Sequence, residues 1–305
     1  MRFLIIDGYS SQSRERLSAA GMTLASGLHA QMLQRYDPNA AFDVLFPADA
    51  NTRIPSKDDL RAYTGIIWTG CDKTLADSHG PDLQKQLDLA QRILQAEAPC
   101  WGTCWGIQIM AVAAGGKVGR NPNGREIGLA RKIKLTSEGR AHPMYAGKNE
   151  VFDALASHSD IVTIVPPHAV ILASNDYSAV QAMSFSYGKG IFWGVQYHPD
   201  FDIYQVARLM IGRKEALISE GFFQDSRDFD SHIERMETLA REPKNKCLRW
   251  QLGVDEDILS ADMRQREFAN WLKLFATENT ENTARRGRNQ TDRIGRDESR
   301  PCGIS

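Results

Sequence analysis

The chain has few cysteines, no long apolar run and no excess of charge of either sign. Five cysteines among 305 residues are too few, and odd in number, for a disulfide-stapled secreted scaffold. Lysine plus arginine (37) balance aspartate plus glutamate (38), which argues against a nucleic-acid-coating surface. No stretch reaches the roughly 20 apolar residues of a membrane helix, and the run at 3–6 is shorter than a signal-peptide core. We therefore expect a soluble cytoplasmic protein with no nucleic-acid or membrane partner, and free thiols at Cys71, Cys100 and Cys104.

Short apolar runs alternate with helical patterns over residues 1–115. The runs at 3–7, 65–68 and 98–101 have the length of buried strands, and helical spacing covers 21–35, 81–96 and 107–114. This alternation is typical of an α/β fold: an open, twisted, mostly parallel sheet with helices on both faces, as in flavodoxin-like proteins. Ligands of such sheets bind at the carboxyl ends of the strands.

The pattern changes twice further along the chain. Residues 125–200 read as strands without long helices, and the two runs that flank 187–190 predict a hairpin. After about 215 the sequence is helical and charged, and after 276 large apolar residues nearly vanish. We predict three regions: an α/β domain (1–212), a helical extension (213–276) and a disordered tail (277–305). The apolar stripe of the extension more often packs on the protein's own core than on a partner.

The sharpest local feature is the segment 102–106 (GTCWG), a G-x-C-x-G between a strand and a helix. It predicts a nucleophile elbow with the sulfur of Cys104 in place of a serine oxygen. A helix that begins directly after Cys104 directs N–H groups and its positive dipole end at the sulfur, which favours the thiolate and can hold an oxyanion. The alternative is a small buried cysteine beside a helix.

A second motif, 194–201 (GVQYHPDF), follows the last strand of the hairpin. A cysteine nucleophile needs a base and an acceptor that orients the base, and His198 and Asp200 could supply both. The alternatives are a core histidine and an N-cap aspartate for a helix that starts near Phe201. Four other histidines have no evident catalytic partner and are interpreted as surface or structural residues: His29, His142, His168 and His232.

Together, the Cys104 elbow, the late His-Pro-Asp and the strand that ends at 69–70 resemble a class I (triad) glutamine amidotransferase domain over roughly 1–212. The similarity is nearest to the glutaminase half of GMP synthase. The resemblance implies that Cys104 attacks the side-chain amide of glutamine, forms a glutamyl thioester and releases ammonia, after which water yields glutamate. His198 would act as base and acid, and Asp200 would orient it.

The resemblance also implies an oxyanion hole. One donor would be the backbone N–H of Trp105, and the other would come from the loop that reads Ser-Gly-Gly-Pro in the family and TGCD at 69–72 here, around Gly70 and Cys71. Two positions depart from the family: Cys71 replaces the second glycine, and Asp200 stands where most members carry glutamate. Since a side chain restricts the backbone dihedrals, we expect this loop to rearrange before the site is competent.

The resemblance further assigns a substrate pocket. Gln108 follows Cys104 by one helical turn, and the segment 157–160 matches the family's Ser-His-Gly-Asp. The residues implied to bind the substrate are Gln108, Ser157, His158, Ser159 and Asp160. Residues 125–128 (REIG) match a family segment interpreted as structural support.

No pyrophosphate loop of an ATP-using synthase is visible in the sequence, so we do not expect a complete amidotransferase. The first hypothesis is a glutaminase that hands ammonia to a separate synthase, with the extension as a docking or gating element. The second is a hydrolase of gamma-glutamyl amides or peptides. The third is a non-catalytic regulatory module. We predict no cofactor and no metal site.

Overall fold

The computed structural model describes residues 1–76 and 80–275, so the predicted tail lies outside the described residues. The strands are β1 (Arg2–Ile6), β2 (Ala41–Leu45), β3 (Gly65–Trp68), β4 (Cys100–Thr103), β5 (Lys117–Arg120), β6 (Glu126–Leu135), β7 (Val151–His158), β8 (Asp160–Ile164), β9 (Val170–Ser174), β10 (Ala182–Tyr187) and β11 (Gly190–Val195).

The α-helices are α1 (Ser11–Ala19), α2 (Ala25–Tyr36), α3 (Lys57–Arg61), α4 (Pro81–Ala96), α5 (Trp105–Ala113), α6 (Ser137–Ala141), α7 (Ile203–Ile211), α8 (Lys214–Ser219), α9 (Ser226–Arg241), α10 (Lys246–Leu252), α11 (Glu256–Leu259) and α12 (Ala261–Arg264). A further helical segment covers 266–275. None of these helices combines the length and apolar character that a membrane-spanning helix requires.

The main sheet runs β2-β1-β3-β4-β11-β10-β9-β6-β7. The strands from β2 to β11 pair in parallel, and those from β11 to β7 pair antiparallel. The parallel half contains the alternating units predicted for 1–115, and the antiparallel half contains the strand-rich region. The expected α/β sheet is therefore confirmed, and β11 joins the two halves beside β4.

The two faces of this sheet carry different cores. Leu4 and Ile6 belong to one buried cluster, together with Trp68 and side chains of α4 and α5; we call this side the elbow face. Phe3 and Ile5 belong to a second cluster, which we call the aromatic face. The switch at every residue of β1 is the period-two alternation of a strand that is covered on both sides.

The segment 266–275 closes the aromatic face. Phe268 and Trp271 are fully buried, and the ring of Phe268 meets that of Trp101 edge-on, with 5.4 Å between centroids. Trp271 also lies against Phe3, at 6.0 Å. The expectation that this stripe packs on the protein's own core is confirmed, whereas the domain boundaries at 212 and 276 stay predictions.

A buried polar network also ties this segment to the sheet. The Tyr197 hydroxyl donates to Glu267 Oε1 at 2.5 Å and lies 2.9 Å from the Tyr145 hydroxyl. Lys148 completes the network through an ion pair with Glu267 at 3.0 Å, and both of these side chains are nearly inaccessible to solvent. Because Tyr197 directly precedes His198, the segment 266–275 supports the end of β11 at the predicted base.

Candidate active site

Cys104 occupies a strained turn between β4 and α5. Its φ of 51° and ψ of −98° lie where side chains are rarely tolerated. The neighbouring glycines are required by close approach: a Cβ on Gly102 would lie 2.7 Å from the Gly106 carbonyl carbon, and one on Gly106 would lie 2.5 Å from the Trp68 oxygen. The Cys104 N–H donates to Val195 O at 2.8 Å, which ties the turn to β11. The predicted elbow geometry is present.

The Cys104 thiol is buried and stays protonated at neutral pH. Burial raises the pKa of Cys104 to about 12, although the charge of Arg213 and the backbone N–H of Trp105 act in the opposite direction. The thiol contacts Ser157 O at 3.7 Å. The expectation that the helix start favours the thiolate is therefore wrong for the resting site, because desolvation outweighs the dipole.

His198 lies beside this turn and is bonded to Asp200. Its Nδ1 is 3.2 Å from Asp200 Oδ1, and its ring stacks on Phe201 at 3.8 Å. Gly70 separates it from the cysteine: a Cβ there would lie 2.7 Å from His198 Cε1 and 3.6 Å from Cys104 Cβ. Burial lowers the pKa of His198, partly offset by Asp200, so the imidazole is neutral and able to accept a proton.

Asp200 is not a helix cap. The side chain that caps α7 belongs to Asp202, which accepts from the Gln205 N–H at 2.8 Å, because the chain stays extended through Asp202 before the helix begins. The N-cap interpretation of Asp200 is therefore wrong. Although burial alone would raise its pKa, His29 and His198 hold the pKa of Asp200 below its ordinary value.

His29 is a neighbour of Asp200 that sequence reasoning misplaced. It is fully buried, with Nδ1 2.9 Å from Ala25 O and 3.8 Å from Asp200 Oδ2. Its Nε2 lies 3.1 Å from the Thr103 hydroxyl. The view that His29 has no catalytic partner nearby is wrong. The helical spacing that buries Leu28 and its neighbours on α2 was the available signal.

The loop 69–72 reaches the site without backbone strain at Cys71. Among the described residues the non-glycine positions with positive φ include Cys104 but not Cys71, so the cysteine that replaces the family glycine fits its backbone. Its thiol is buried, 3.8 Å from the Asp72 carboxylate. Steric relief therefore does not require the expected rearrangement, and the assignment of Gly70, Cys71 and Trp105 to an oxyanion hole stays a prediction.

A polar cavity of about 190 Å³ opens from the cysteine. All five residues predicted to bind substrate line it, as do Cys104 and Cys71. The complete lining is Cys71, Asp72, Lys73, Thr74, Cys104, Gln108, Arg120, Arg125, Ser157, His158, Ser159, Asp160 and Arg213. The sequence thus placed these residues together correctly, while their role in binding stays a prediction.

The far wall of the cavity is held by hydrogen bonds. Gln108 Nε2 donates to Asp160 O at 2.8 Å. His158 has both ring nitrogens engaged, one 3.1 Å from Asp160 O and one 2.8 Å from Glu126, and Glu126 also accepts from Gln181 at 2.7 Å. Glu126 therefore supports the wall, as predicted for 125–128, and His158 shapes the pocket because its polar atoms are already paired.

Arg213 is the cavity residue that the sequence analysis did not single out. Its Nη1 donates to the Ser157 hydroxyl at 2.6 Å. It follows α7, one residue past the predicted domain boundary, and no local motif marks it. Within the described residues, no group of three or more His, Cys, Asp or Glu side chains is arranged to hold a metal ion.

Comparison with known proteins agrees with this geometry. Residues 44–211 match the family model of glutamine amidotransferase class-I. The chain belongs to the class I glutamine amidotransferase family. A solved glutamine amidotransferase from Methylobacillus flagellatus, 20% identical, has the same fold with a TM-score of 0.59 over 89% of this chain and 94% of its own.

Two relatives of this amidotransferase family member differ in how much of the chain they match. The gamma-glutamyl-L-1-hydroxyisopropylamide hydrolase of a Pseudomonas species is 30% identical over 278 residues, which is 89% of this chain and 92% of the hydrolase. The glutamine-hydrolysing subunit of GMP synthase from Methanocaldococcus jannaschii is 37% identical over 149 residues, 49% of this chain and 71% of its own length. The resemblance inferred from the motifs is confirmed.

Proposed function

We propose that this protein is a cysteine hydrolase of gamma-glutamyl amides, which cleaves the bond between the side-chain carboxyl of a glutamyl group and an amine. The observation that carries the proposal is the cavity beside Cys104. Family residues and Arg213 build it together, and Arg213 lies outside the family match at 44–211. The site thus uses a part of the chain that the glutaminase core lacks.

The reaction begins with a neutral pair. As Cys104 Sγ attacks the amide carbon, its proton passes to the neutral imidazole of His198, and Asp200 stabilises the imidazolium. The N–H of Trp105 and the loop at Gly70 and Cys71 hold the oxyanion. His198 then protonates the leaving amine, a thioester remains on Cys104, and a water deprotonated by His198 releases glutamate.

The glutamyl group occupies the cavity and the amine faces His198. The lining includes Cys104 and Gln108 but, among the described residues, no part of His198. Because His198 delivers a proton to the leaving nitrogen, the acyl portion lies on the opposite side of the sulfur. A volume of about 190 Å³ is below that of pockets for drug-sized ligands and suits an acyl group of amino-acid size.

The extent of the relatives favours an amide hydrolase over an ammonia-supplying glutaminase. The match to the Pseudomonas hydrolase spans 89% of this chain and so reaches past α7 into the extension. The match to the GMP synthase relative spans 49%. That relative keeps a second candidate function in view: a glutaminase that supplies ammonia to a separate synthase.

Amine release from purified protein tests the proposal. The substrates are gamma-glutamyl alkylamides and glutamine, with an alpha-linked glutamyl alkylamide as negative control. We expect kcat/KM for the gamma-glutamyl alkylamides to exceed that for glutamine by about tenfold or more, and Cys104→Ala to abolish turnover. Cys100→Ala is the matched control, because Cys100 is equally buried and lies outside the cavity.

Preference for glutamine would replace the proposal by the glutaminase candidate. Absence of turnover by the native protein on every substrate would contradict both and favour the regulatory hypothesis. Turnover that survives Cys104→Ala would contradict the assignment of the nucleophile.

A further inference from the structure

The charges that line the cavity are nearly all paired. Asp72 is bonded to Arg16 at 2.7 Å. Three of the cations that line the cavity have carboxylate partners: Lys73 with Asp82 at 3.5 Å, Arg120 with Asp160 at 3.3 Å, and Arg125 with Glu220 at 2.7 Å.

Arg213 differs from these cations. Within residues 1–76 and 80–275 it forms no ion pair, and its hydrogen bond goes to the neutral hydroxyl of Ser157. Its charge helps to lower the pKa of Glu220, after the larger effect of the Arg125 bond, but both oxygens of Glu220 are occupied by Arg125 at 2.7 and 2.9 Å. The guanidinium therefore keeps donors available for an anion that enters the cavity.

The position of Arg213 fits the head of a glutamyl group. Ser157 links the two ends of the site, since its hydroxyl accepts from Arg213 and its carbonyl lies 3.7 Å from Cys104 Sγ. Arg213 thus stands on the acyl side of the sulfur, away from His198. A glutamyl group bound to Cys104 carries its α-carboxylate beyond the two methylene groups that follow the reacting carbonyl, on that same side.

We propose that Arg213 binds the α-carboxylate of the glutamyl group and makes an unmodified α-carboxylate a requirement of the site. Guanidinium and carboxylate match as planar, charge-assisted partners. Asp160, on the opposite wall, offers oxygens towards the α-ammonium group. This inference rests on the proposed function and deepens it, because it names the part of the substrate that the extension recognises.

Equilibrium binding tests the proposal without turnover. The probes are L-glutamate and 4-aminobutyrate, which is glutamate without its α-carboxylate, titrated calorimetrically into the full chain. We expect Arg213→Gln to weaken binding of L-glutamate about 10- to 100-fold, the range for a charged hydrogen bond, and to change binding of 4-aminobutyrate by less than about twofold. Arg213→Lys should recover part of the loss.

The matched control is Arg227→Gln, which removes the same charge from an exposed position on α9. It should bind both probes as the native protein does. Equal weakening of both probes by Arg213→Gln, or weakening of neither, would overturn the proposal.

Kinetics separate a failure of this inference from a failure of the proposed function. The substrates are gamma-glutamyl ethylamide and 4-aminobutyryl ethylamide. We expect Arg213→Gln to lower kcat/KM for the first about 10- to 100-fold, mainly through KM, and to leave the second nearly unchanged. An equal loss for both, in kcat, would mean that Arg213 acts on the thiol instead. If the native protein hydrolyses neither, the proposed function fails and the binding experiment still decides the role of Arg213.

Discussion

The elbow face and the aromatic face of the sheet support the same site by different means. On the elbow face the nucleophile is placed by backbone proximity, since Gly106 lies so close to the Trp68 carbonyl that no side chain fits. On the aromatic face, rings pack around Trp101 and Trp271, and Glu267 bonds to Tyr197 next to the predicted base. The first face fixes the sulfur and the second fixes the end of β11. A reactive geometry here depends on both ends of the described chain.

The largest effect is expected on the aromatic face. Trp271→Ala removes a fully buried ring and should lower the free energy of unfolding by about 3–5 kcal/mol, the range for large core truncations. Denaturant unfolding measures it. Trp250→Ala is the control, because Trp250 is 90% exposed and its loss should stay within about 0.5 kcal/mol. Similar losses for the two variants would contradict the structural role of the segment 266–275.

Next in size is a change on the elbow face. In Gly106→Ala the new methyl group would lie 2.5 Å from a backbone oxygen that cannot move aside, so we expect a loss of about 1–3 kcal/mol together with a loss of amide hydrolysis. Gly80→Ala, with no atom within 4 Å of the added methyl group, should change the stability by less than about 1 kcal/mol. Full activity in Gly106→Ala would show that the tight contact is not needed.

A smaller effect is expected where the two faces meet. His29→Leu leaves the Thr103 hydroxyl without its acceptor and Asp200 without its second imidazole. Loss of about one hydrogen bond's worth of orientation corresponds to roughly a tenfold fall in kcat, with little change in KM. His232→Asn on α9, away from Cys104, is the control. An unchanged kcat in His29→Leu would restrict His29 to a packing role.

The smallest perturbation is a change of pH alone. Because burial raises the pKa of Cys104 to about 12, the thiolate fraction should grow about tenfold for each pH unit between roughly 7 and 9. The rate at which iodoacetamide alkylates Cys104, followed by peptide mass spectrometry, should rise in parallel without a plateau. A plateau near neutral pH would indicate a thiolate in the resting site and would contradict the neutral starting pair.

Features encoded by neighbouring residues were predictable from the sequence. The elbow at 102–106 depends on glycines two positions before and after the cysteine, and the hairpin around 187–190 depends on turn chemistry. Both are present, with strands at Ala182–Tyr187 and Gly190–Val195. Local spacing was sufficient there because the constraints themselves act within a few residues.

Features that depend on tertiary packing were not predictable in this way. Arg213 reaches Ser157 across 56 positions of the sequence, and His29 reaches Thr103 across 74. The protonated state of Cys104 depends on how completely the surrounding chain excludes water. Asp202 rather than Asp200 caps α7 because the loop continues extended for two residues more than the sequence suggested.

The contact between Trp271 and Phe3 has a consequence for how the protein is made. The first strand leaves the ribosome early, but the rings that cover its aromatic face are among the last residues of the described chain to be translated. Contacts between distant parts of a chain form late and slowly. We therefore expect the nascent protein to hold an uncovered sheet face until residue 275 has emerged, and to acquire a supported His198 only after synthesis has passed that point.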